Sequence, residues 1–421
     1  MKLDIETGSK VKIKAKDGEF EGILLESHDQ STVLLKLKTG YNIGFKKDDI
    51  EVEVLEKAKA KKDVEEKEIS QDKTLPEIAI IVTGGTIASK VDYETGAVSP
   101  NPEISSLLKN IPGLDKIARI SEIEVPILVQ SEDITPGDWK KLAKKVQEIL
   151  SKKNIKGIVI LHGTDTLHYT SAVLSFMLKD LGKPVVLTYS QRSIDRGSSD
   201  ANLNLKCAFH TALSNIAEVI AVGHANSDDN YCYVFRGNSI RKMHSSRRDA
   251  FKSINHEPLA KIYENGNIEF LSNHNKRDEI KKTKVETEFE EKIAIIKYFP
   301  GLGPEILDYY IKKGFKGIVL EGTCFGHVAV ENKISWISTL KEACKKALIV
   351  MTTQTIYGEV NPKVYSNGRT IEKTGVLYLN LTSETAYAKL GCVLGKEKDI
   401  ELAKILMKKN FAHEFNERRI E

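Results

Sequence analysis

Continuous runs of isoleucine and valine are the feature of this sequence that most limits its fold. From residue 77 onward these runs alternate with helical patterns, as in IAIIV, GIVIL, PVVLT and VIAVG. A strand that is apolar at every position needs cover on both faces, as in parallel sheets flanked by helices. The alternation resumes after a polar stretch, in IAIIK, GIVLE and LIVM. We therefore predict an α/β body made of two parallel-sheet domains.

The first 56 residues follow a different pattern. Apolar and polar residues alternate with period two in segments such as KVKIKAK and TVLLKLK, which is typical of half-buried strands. We predict a small SH3-like β-barrel over residues 1–56, followed by a charged linker over 57–76. The first α/β domain then spans 77–271, a second polar linker spans 272–291, and the second α/β domain spans 292–421.

The charge of this chain argues against a dedicated nucleic-acid binder. The net charge is +4 over 421 residues, and residues 1–56 hold nine lysines, no arginine and twelve acidic residues. Because phosphate contacts need cations, a docking role for the barrel is favoured over a primary grip on RNA.

Several features predict a cytoplasmic protein with no membrane association. No apolar run approaches the ~20 residues of a membrane span, and the first residues lack the apolar core of a signal peptide. Five scattered cysteines are typical of free thiols in a reducing compartment.

Three predicted strands end in hydroxyl-rich segments. These are TGGT at Thr83–Thr86, HGTDT at His162–Thr166, and TTQ at Thr352–Gln354. Ligands of parallel sheets bind beyond the carboxyl ends of the strands. The spacing of TGGTIA fits neither a dinucleotide fingerprint nor a P-loop, so phosphate binding is disfavoured. The glycine pair instead allows a sharp turn that presents Thr86 as a nucleophile beside free backbone amides.

A threonine hydroxyl needs a base or a nearby charge to react. The candidates are Tyr93, seven residues after Thr86, and Lys242, since a buried lysine beside a hydroxyl can accept a proton. Lys242 can also be an ordinary surface lysine in the basic stretch from Arg236 to Lys252.

The histidines in this region do not predict a metal site. His162 and His168 lie six residues apart, which is not a typical ligand spacing. His224 follows VIAVG and is interpreted as a strand-end residue.

The motifs resemble those of the type I/II L-asparaginase family. TGGTIAS resembles its first signature and LHGTDTL its second, in the same order. SED at Ser131–Asp133 and KMHSSRRDAFKS, which contains Lys242 and Phe251, also correspond to family segments. The resemblance covers roughly residue 77 to the end of the chain and implies a two-domain asparaginase-like fold.

The resemblance implies a set of catalytic residues. Thr86 would attack the carbon of a side-chain amide, and Tyr93 would assist its deprotonation. Thr164, Asp165 and Lys242 would form a second set that relays or orients the proton, and which threonine attacks first is left open.

The resemblance also implies the groups that hold the substrate. Ser131, Glu132 and Asp165, together with Gly85, would bind the α-amino and α-carboxylate groups. No metal or organic cofactor would be needed in this chain.

Other features depart from plain asparaginases. The N-terminal barrel and linker are additional, and EGTCFGHV stands where asparaginases have a glycine- and asparagine-rich loop. The whole chain is similar to the D subunits of archaeal glutamyl-tRNA(Gln) amidotransferases. That resemblance implies a glutaminase whose ammonia passes to a partner E subunit. The partner would bind Glu-tRNA(Gln), use ATP and Mg²⁺, and form Gln-tRNA(Gln) in a heterotetramer built around a homodimer of this chain.

Two other functions are considered. A free-standing L-asparaginase or glutaminase would act without a partner. A non-catalytic binding module is disfavoured because Thr86, Thr164, Asp165 and Lys242 are all present. The basic stretch from Arg236 to Lys252 is either a solvated face or part of a partner interface.

Overall fold

The structure is a computed structural model of the 421-residue chain. It describes residues 5–6, 8–25, 27, 31–37, 42–57, 72–91, 98–100, 111–193, 199–331 and 333–416.

The period-two segments near the N-terminus form the strands β1 (Lys10–Ala15), β2 (Gly18–Leu25), β3 (Thr32–Leu37), β4 (Asn42–Lys46) and β5 (Glu51–Glu56). They build a five-stranded antiparallel sheet in the order β4-β3-β2-β1-β5. The buried core of this sheet comes from β1, β2 and β3 and consists of Val11, Ile13, Leu24, Val33 and Leu35.

The next part of the chain contains β6 (Glu77–Val82), β7 (Ser89–Val91), β8 (Val98–Pro100), β9 (Arg119–Glu124), α1 (Pro136–Leu150), β10 (Ile155–Leu161), α2 (Leu167–Met177), β11 (Leu178–Lys179), β12 (Val185–Thr188), α3 (Ala201–Ala212), β13 (Val219–His224), β14 (Cys232–Arg236), β15 (Ile240–Lys242), β16 (Phe251–Ser253), β17 (Ala260–Ile262) and β18 (Ile268–Phe270). Eight of these strands form one sheet in the order β18-β17-β14-β13-β12-β10-β6-β9. Within it the neighbouring strands β13, β12, β10, β6 and β9 are parallel.

Both faces of this sheet are buried, which explains the continuous apolar runs. Along β6, Ala79 and Ile81 pack into a core with α1 and α2, whereas Ile78 and Ile80 pack into a core with α3. Each of these four side chains is 0% exposed. The predicted parallel sheet covered on both faces is therefore present.

The elements of the last part of the chain are β19 (Lys284–Val285), which pairs with β11, then β20 (Ile293–Lys297), α4 (Glu305–Lys312), β21 (Gly317–Gly322), α5 (Ile337–Ala343), β22 (Leu348–Thr353), α6 (Ser366–Glu372), β23 (Leu377–Tyr378), α7 (Ser383–Lys396) and α8 (Ile400–Lys408). Strands β20 to β23 form a four-stranded parallel sheet in the order β20-β21-β22-β23. Alternate residues of β21 again enter two different cores, Ile318 on one face and Val319 on the other.

Helix α7 joins the two α/β parts of the molecule because it packs against α2. The rings of Tyr169 on α2 and Tyr387 on α7 meet edge to face with centroids 6.0 Å apart. At its N-terminus the Thr382 side chain accepts a hydrogen bond from the Thr385 N–H, which satisfies one free donor of the first turn. The first turn of α7 is thus held close to the helix that follows the second signature motif.

Among the described residues, no helix is both long enough and apolar enough to cross a membrane.

We predict that Trp336→Ala strongly destabilises the second α/β part. Trp336 is 0% exposed, and its Nε1–H donates to the Leu302 carbonyl at 3.1 Å. Removing the indole leaves a cavity and an unpaired carbonyl, for which we expect a loss of about 3–5 kcal/mol in the free energy of unfolding. Urea denaturation followed by circular dichroism measures it. Phe299→Ala, at a side chain 55% exposed, is the control and should cost less than about 1 kcal/mol; equal losses would contradict the packing described.

Candidate active site

Two parallel strands place the two signature segments side by side. In the pairing of β6 with β10, Val82 lies opposite Leu161, so both strands end at the same edge of the sheet. Thr83 fastens the two ends together, because its N–H and its hydroxyl both donate to the Leu161 carbonyl at 3.0 Å. The segments that follow therefore begin in contact.

Glycines allow the backbones of these segments to touch. Gly85 has φ +82°, and a Cβ built there would lie 2.3 Å from the Cα of Gly163. Gly84 has φ +113°, and its Cβ would lie 2.2 Å from the Val129 carbonyl oxygen. Only a residue without a side chain fits at either position. The two glycines of the first motif are thus required both by close backbone packing and by their positive φ angles.

Ser131 connects a third segment to this contact. Its side chain is buried, and its Oγ accepts a hydrogen bond from the Asp165 N–H at 3.2 Å. The Thr166 hydroxyl donates to the Ser131 carbonyl at 2.5 Å. Glu132 is exposed in the same 3-10 turn, Ser131–Asp133. Of these two predicted substrate-binding residues, Ser131 contacts the second motif and Glu132 is the next residue along the chain.

Thr86 begins the 3-10 turn Thr86–Ala88 directly after the Gly85 contact. Its side chain is partly buried, and within the described residues its hydroxyl has no hydrogen-bond partner. The turn closes through the Ala88 N–H, which donates to the Gly85 carbonyl at 3.0 Å. Tyr93 lies outside the described residues, so its predicted role stays a prediction.

Lys242 lies between two residues of the second motif. Its Nζ donates to the Thr164 hydroxyl at 2.7 Å and to the Asp165 carboxylate at 2.7 Å. The Lys242 side chain is only 11% exposed, whereas that of Asp165 is 60% exposed. Lys242 is therefore not an ordinary surface lysine. A lysine in this position can move a proton to or from the hydroxyl while the carboxylate holds it in place.

A short hairpin carries Lys242 to this position. In the β15–β16 pair Lys242 lies opposite Phe251, which is completely buried. The Phe251 ring packs against Tyr189 with centroids 4.6 Å apart. Lys242 and Phe251 of the segment KMHSSRRDAFKS are thus cross-strand partners, with Phe251 anchoring the hairpin in the core and Lys242 extending into the site.

The basic stretch around Lys242 is mostly paired within the chain. Arg236 forms an ion pair with buried Glu218 at 2.8 Å, and Arg248 with Asp229 at 3.1 Å. Arg247 and Lys252 both bind Asp249. These cations are neutralised internally, so the interpretation as a simple solvated face is incomplete.

Two histidines near the site, His162 and His224, are buried and hydrogen-bonded. His224 ends β13 and contacts the Asn204 side-chain oxygen at 2.6 Å and Asp229 at 2.9 Å, as a structural strand-end residue would. His162 contacts the Gly163 carbonyl at 2.7 Å and the Thr170 hydroxyl at 2.8 Å. Burial lowers the pKa of His162 to about 4, so its ring is neutral. In the described part of the chain, no group of three or more potential ligands could hold a metal ion.

Sequence reasoning missed Glu384, which lies in the first turn of α7. Its carboxylate contacts Arg241, the neighbour of Lys242, at 3.3 Å. Nothing in the spacing of the segment TSETAYAKL indicated a contact with the site. Only the packing of α7 against the first α/β part creates this contact.

A cavity of about 690 Å³ lies away from these residues. It is lined by parts of α2, the segment after it, α7 and the C-terminal residues, and it includes none of the predicted site residues. Its buried cation Lys389 is paired with Glu414 at 2.7 Å. The cavity therefore adds no group to the site at the strand ends.

Comparison with known proteins identifies the family. The family model of the N-terminal asparaginase domain matches residues 77–276, that of the glutaminase/asparaginase C-terminal domain matches 292–407, and that of the GatD N-terminal domain matches 5–55. The D subunit of the glutamyl-tRNA(Gln) amidotransferase from Pyrococcus abyssi is 45% identical over 98% of this chain and 95% of its own length. The chain belongs to the family of glutamyl-tRNA(Gln) amidotransferase D subunits. The D subunit from Pyrococcus furiosus is 46% identical over 97% of this chain and 95% of its own length.

Solved structures of asparaginases resemble the body of this D-subunit family member. The thermostable L-asparaginase from Thermococcus kodakarensis is 30% identical, with a TM-score of 0.71, and the match covers 81% of this chain and 100% of that one. L-asparaginase I from Vibrio cholerae is also 30% identical, with a TM-score of 0.70 and coverage of 81% and 99%. The predicted family and the predicted asparaginase-like α/β fold are confirmed.

We predict that Gly85→Ala destabilises the protein because its Cβ would collide with the Gly163 backbone. Gly301→Ala is a matched control, since Gly301 has φ +97° but nothing lies within 4 Å of an added Cβ. The control measures backbone strain alone, about 1–2 kcal/mol. We expect the Gly85 variant to lose at least ~2 kcal/mol more in the free energy of unfolding, measured by urea denaturation. Equal losses would mean that the two segments do not touch.

We also predict a loss of stability in acid that depends on His162. Its pKa is about 4 in the folded protein, against the ordinary histidine value of 6.5 that applies to the unfolded chain. Between these values the unfolded state binds the proton and the folded state does not, so stability falls as pH falls through this window. From pH 7 to pH 5 this histidine should account for about 2 kcal/mol.

The variant His162→Asn tests this directly. Its free energy of unfolding should change with pH by about 2 kcal/mol less than that of the wild type over the same interval. Ser245→Ala, which removes no titratable group at an exposed position, should retain the full wild-type pH dependence. An unchanged dependence in His162→Asn would contradict the assignment.

Proposed function

We propose that this chain is the glutamine-hydrolysing subunit of a tRNA-dependent amidotransferase and that it uses a threonine nucleophile. The observation that carries the proposal is the contact of Lys242 Nζ with both Thr164 and Asp165, next to the segment that presents Thr86. An amine that contacts both a hydroxyl and a carboxylate supplies the groups that amide hydrolysis by a threonine requires.

The proposed reaction has two steps. The Thr86 oxygen forms a bond to the amide carbon, the carbon–nitrogen bond breaks, and the nitrogen leaves as ammonia after taking a proton. Water then cleaves the resulting ester and restores the hydroxyl. Thr164, Asp165 and Lys242 carry or orient the protons, and Tyr93 assists at Thr86.

The substrate's amino-acid group is proposed to bind beside the same segments. Asp165 keeps most of its side chain exposed although one oxygen accepts from Lys242, so the carboxylate can also receive an α-amino group. Ser131 and Glu132 lie on the third segment and Gly85 on the first. The hydrogen bond from the Asp165 N–H to Ser131 Oγ supports a joint site, because it holds two of these residues at a fixed separation.

The proposal extends to the partners of this chain. We propose a partner E subunit that holds Glu-tRNA(Gln), uses ATP and Mg²⁺, and accepts the ammonia, within a heterotetramer containing a homodimer of this chain. The excess of acidic over basic residues in positions 1–56 supports tRNA binding mainly by the partner. We infer a cytoplasmic location from the use of charged tRNA, which translation consumes there.

The proposed domain division supports this assignment of roles. A β-rich unit over 1–56 and a linker over 57–76 precede a catalytic unit over 77–271. The linker over 272–291 then leads to a second unit over 292–421. In the described residues the largest sheet of each unit is separate from those of the other two, with five, eight and four strands respectively.

A free-standing asparaginase is the second candidate. The TM-score of 0.71 to the T. kodakarensis L-asparaginase favours it for the body of the chain. The match of residues 5–55 to the GatD N-terminal domain favours the amidotransferase assignment instead. A non-catalytic module is disfavoured by the ordered Lys242 contacts.

We predict that Thr86→Val abolishes ammonia release from glutamine. Valine has the same shape but no hydroxyl, so we expect a loss of at least ~1,000-fold in kcat with an unchanged fold. A coupled ammonia assay measures the rate. Thr370→Val, at a partly buried position on α6, is the control and should keep wild-type activity. Full activity in Thr86→Val would reject this nucleophile.

The same assay separates the two candidate functions. A glutaminase that serves an amidotransferase should release ammonia from glutamine faster when the partner subunit and charged tRNA are added. A free-standing asparaginase should prefer asparagine and ignore both additions.

A further inference from the structure

The first turn of α7 lies against the segment that leads into Lys242. The Thr385 hydroxyl donates to the Asn238 carbonyl at 2.7 Å, and the bond is buried. The Glu384 carboxylate contacts an Arg241 terminal nitrogen at 3.3 Å. Helix α7 belongs to the second α/β part of the chain, so this part makes direct polar contacts with the residues that precede Lys242.

The same turn is tied to the second sheet. The Ser383 hydroxyl and the Thr352 hydroxyl share a buried hydrogen bond of 2.9 Å. Thr352 belongs to the end of β22, one of the hydroxyl-rich strand ends that the sequence indicated. A continuous series of contacts therefore runs from the second sheet through Ser383 and Glu384 to Arg241.

Glu384 is buried among few charges. Its side chain is 7% exposed, and Arg241 is its cationic partner. The ring of His168 lies 3.9 Å away, but burial lowers the pKa of this histidine to about 3, so the ring is neutral. The other titratable groups facing Glu384 are Glu321 from β21 and Tyr169 from α2. Removing the carboxylate would leave Arg241 without its buried anion.

Arg241 and Lys242 are consecutive residues of β15, so their side chains leave the strand on opposite faces. Glu384 holds one face of the strand through Arg241, and Thr164 and Asp165 hold the other through Lys242. The position of the ammonium therefore depends on contacts made on both faces. A displacement of about 1 Å at a reacting group can reduce a rate by ~100-fold.

We propose that Glu384 is a positioning residue through which the second α/β part holds Lys242 in its catalytic place. The inference rests on the proposed function, because it concerns the regulation of the same site. Any change in the second part that moves the start of α7 would shift Arg241, and with it the adjacent lysine. Glu384 itself does not contact Thr164 or Asp165, so it is expected to affect turnover more than substrate binding.

The test compares Glu384→Gln with the wild type in the assembled complex. Glutamine keeps the size of the side chain and an acceptor for Arg241 but removes the charge. We expect kcat for glutamine hydrolysis to fall at least ~10-fold, equivalent to about 1.4 kcal/mol, with KM within about twofold. Glu218→Gln is the matched control, since it breaks another buried pair, with Arg236, away from Lys242. It should keep the wild-type kcat even if its melting temperature falls.

A second variant tests whether Glu384 acts on Lys242 by holding Arg241. Arg241→Gln should show the same fall in kcat, and the double variant should lose no more than either single variant, because both remove one interaction. The Arg241 side chain is 33% exposed, so this variant tests the proposal even if Glu384→Gln fails to fold.

Three results would overturn the proposal. The first is a wild-type kcat in Glu384→Gln or in Arg241→Gln. The second is a double variant whose loss of kcat is the product of the two single losses, and the third is a loss of kcat in Glu218→Gln as large as that in Glu384→Gln. Absence of amide hydrolysis in the wild-type complex would instead reject the proposed function, so the two failures are distinguishable.

Discussion

The close contact between the Gly85 and Gly163 backbones is the constraint on which the candidate site depends. Two parallel strands bring the first and second motifs to one edge of the sheet, but ordinary residues would hold the following segments apart. Two glycines without Cβ atoms let them meet, with Gly163 also packed against Ser131. Hydroxyl and carboxylate groups from three separate segments are thereby concentrated in one place.

The lysine reaches this edge by a different route. It comes from a hairpin outside the main sheet, and the hairpin is held by the buried Phe251 ring and by the contacts of Arg241 with α7. The amine is largely excluded from water while its carboxylate partner Asp165 stays open to solvent. This asymmetry suits a site in which one charged group must stay in place and the other must also meet a ligand.

The basic stretch from Arg236 to Lys252 shows why a cluster of cations in the sequence does not by itself predict a binding surface. In sequence, its closely spaced cations indicate a solvated face or a partner surface. In the structure Arg236, Arg247, Arg248 and Lys252 each pair with a carboxylate of the same chain. Two of the partners, Glu218 and Asp229, precede the stretch, and only the sheet topology brings them together. Local charge density therefore says little about binding unless the distant partners are known.

The sequence by itself determined the α/β architecture and predicted most of the residues of the candidate site. Ile80 and Ile81 face opposite cores, and a strand buried on both faces must be apolar throughout. The continuous apolar runs in the sequence therefore predict a sheet that is covered on both faces. The Gly-Thr strand ends likewise indicate Thr86 and Thr164, because the motif and the strand that positions it are adjacent in the chain.

Only the tertiary structure decided which distant groups lie near them. The sequence allowed two interpretations of Lys242, and its contacts with Thr164 and Asp165 decided between them. Nothing in the sequence indicated that Glu384 lies near the site. Both contacts join residues far apart in the chain, and they exist because α2, α7 and the β15–β16 hairpin pack together. Such packing depends on the summed burial of many side chains, which no local pattern records.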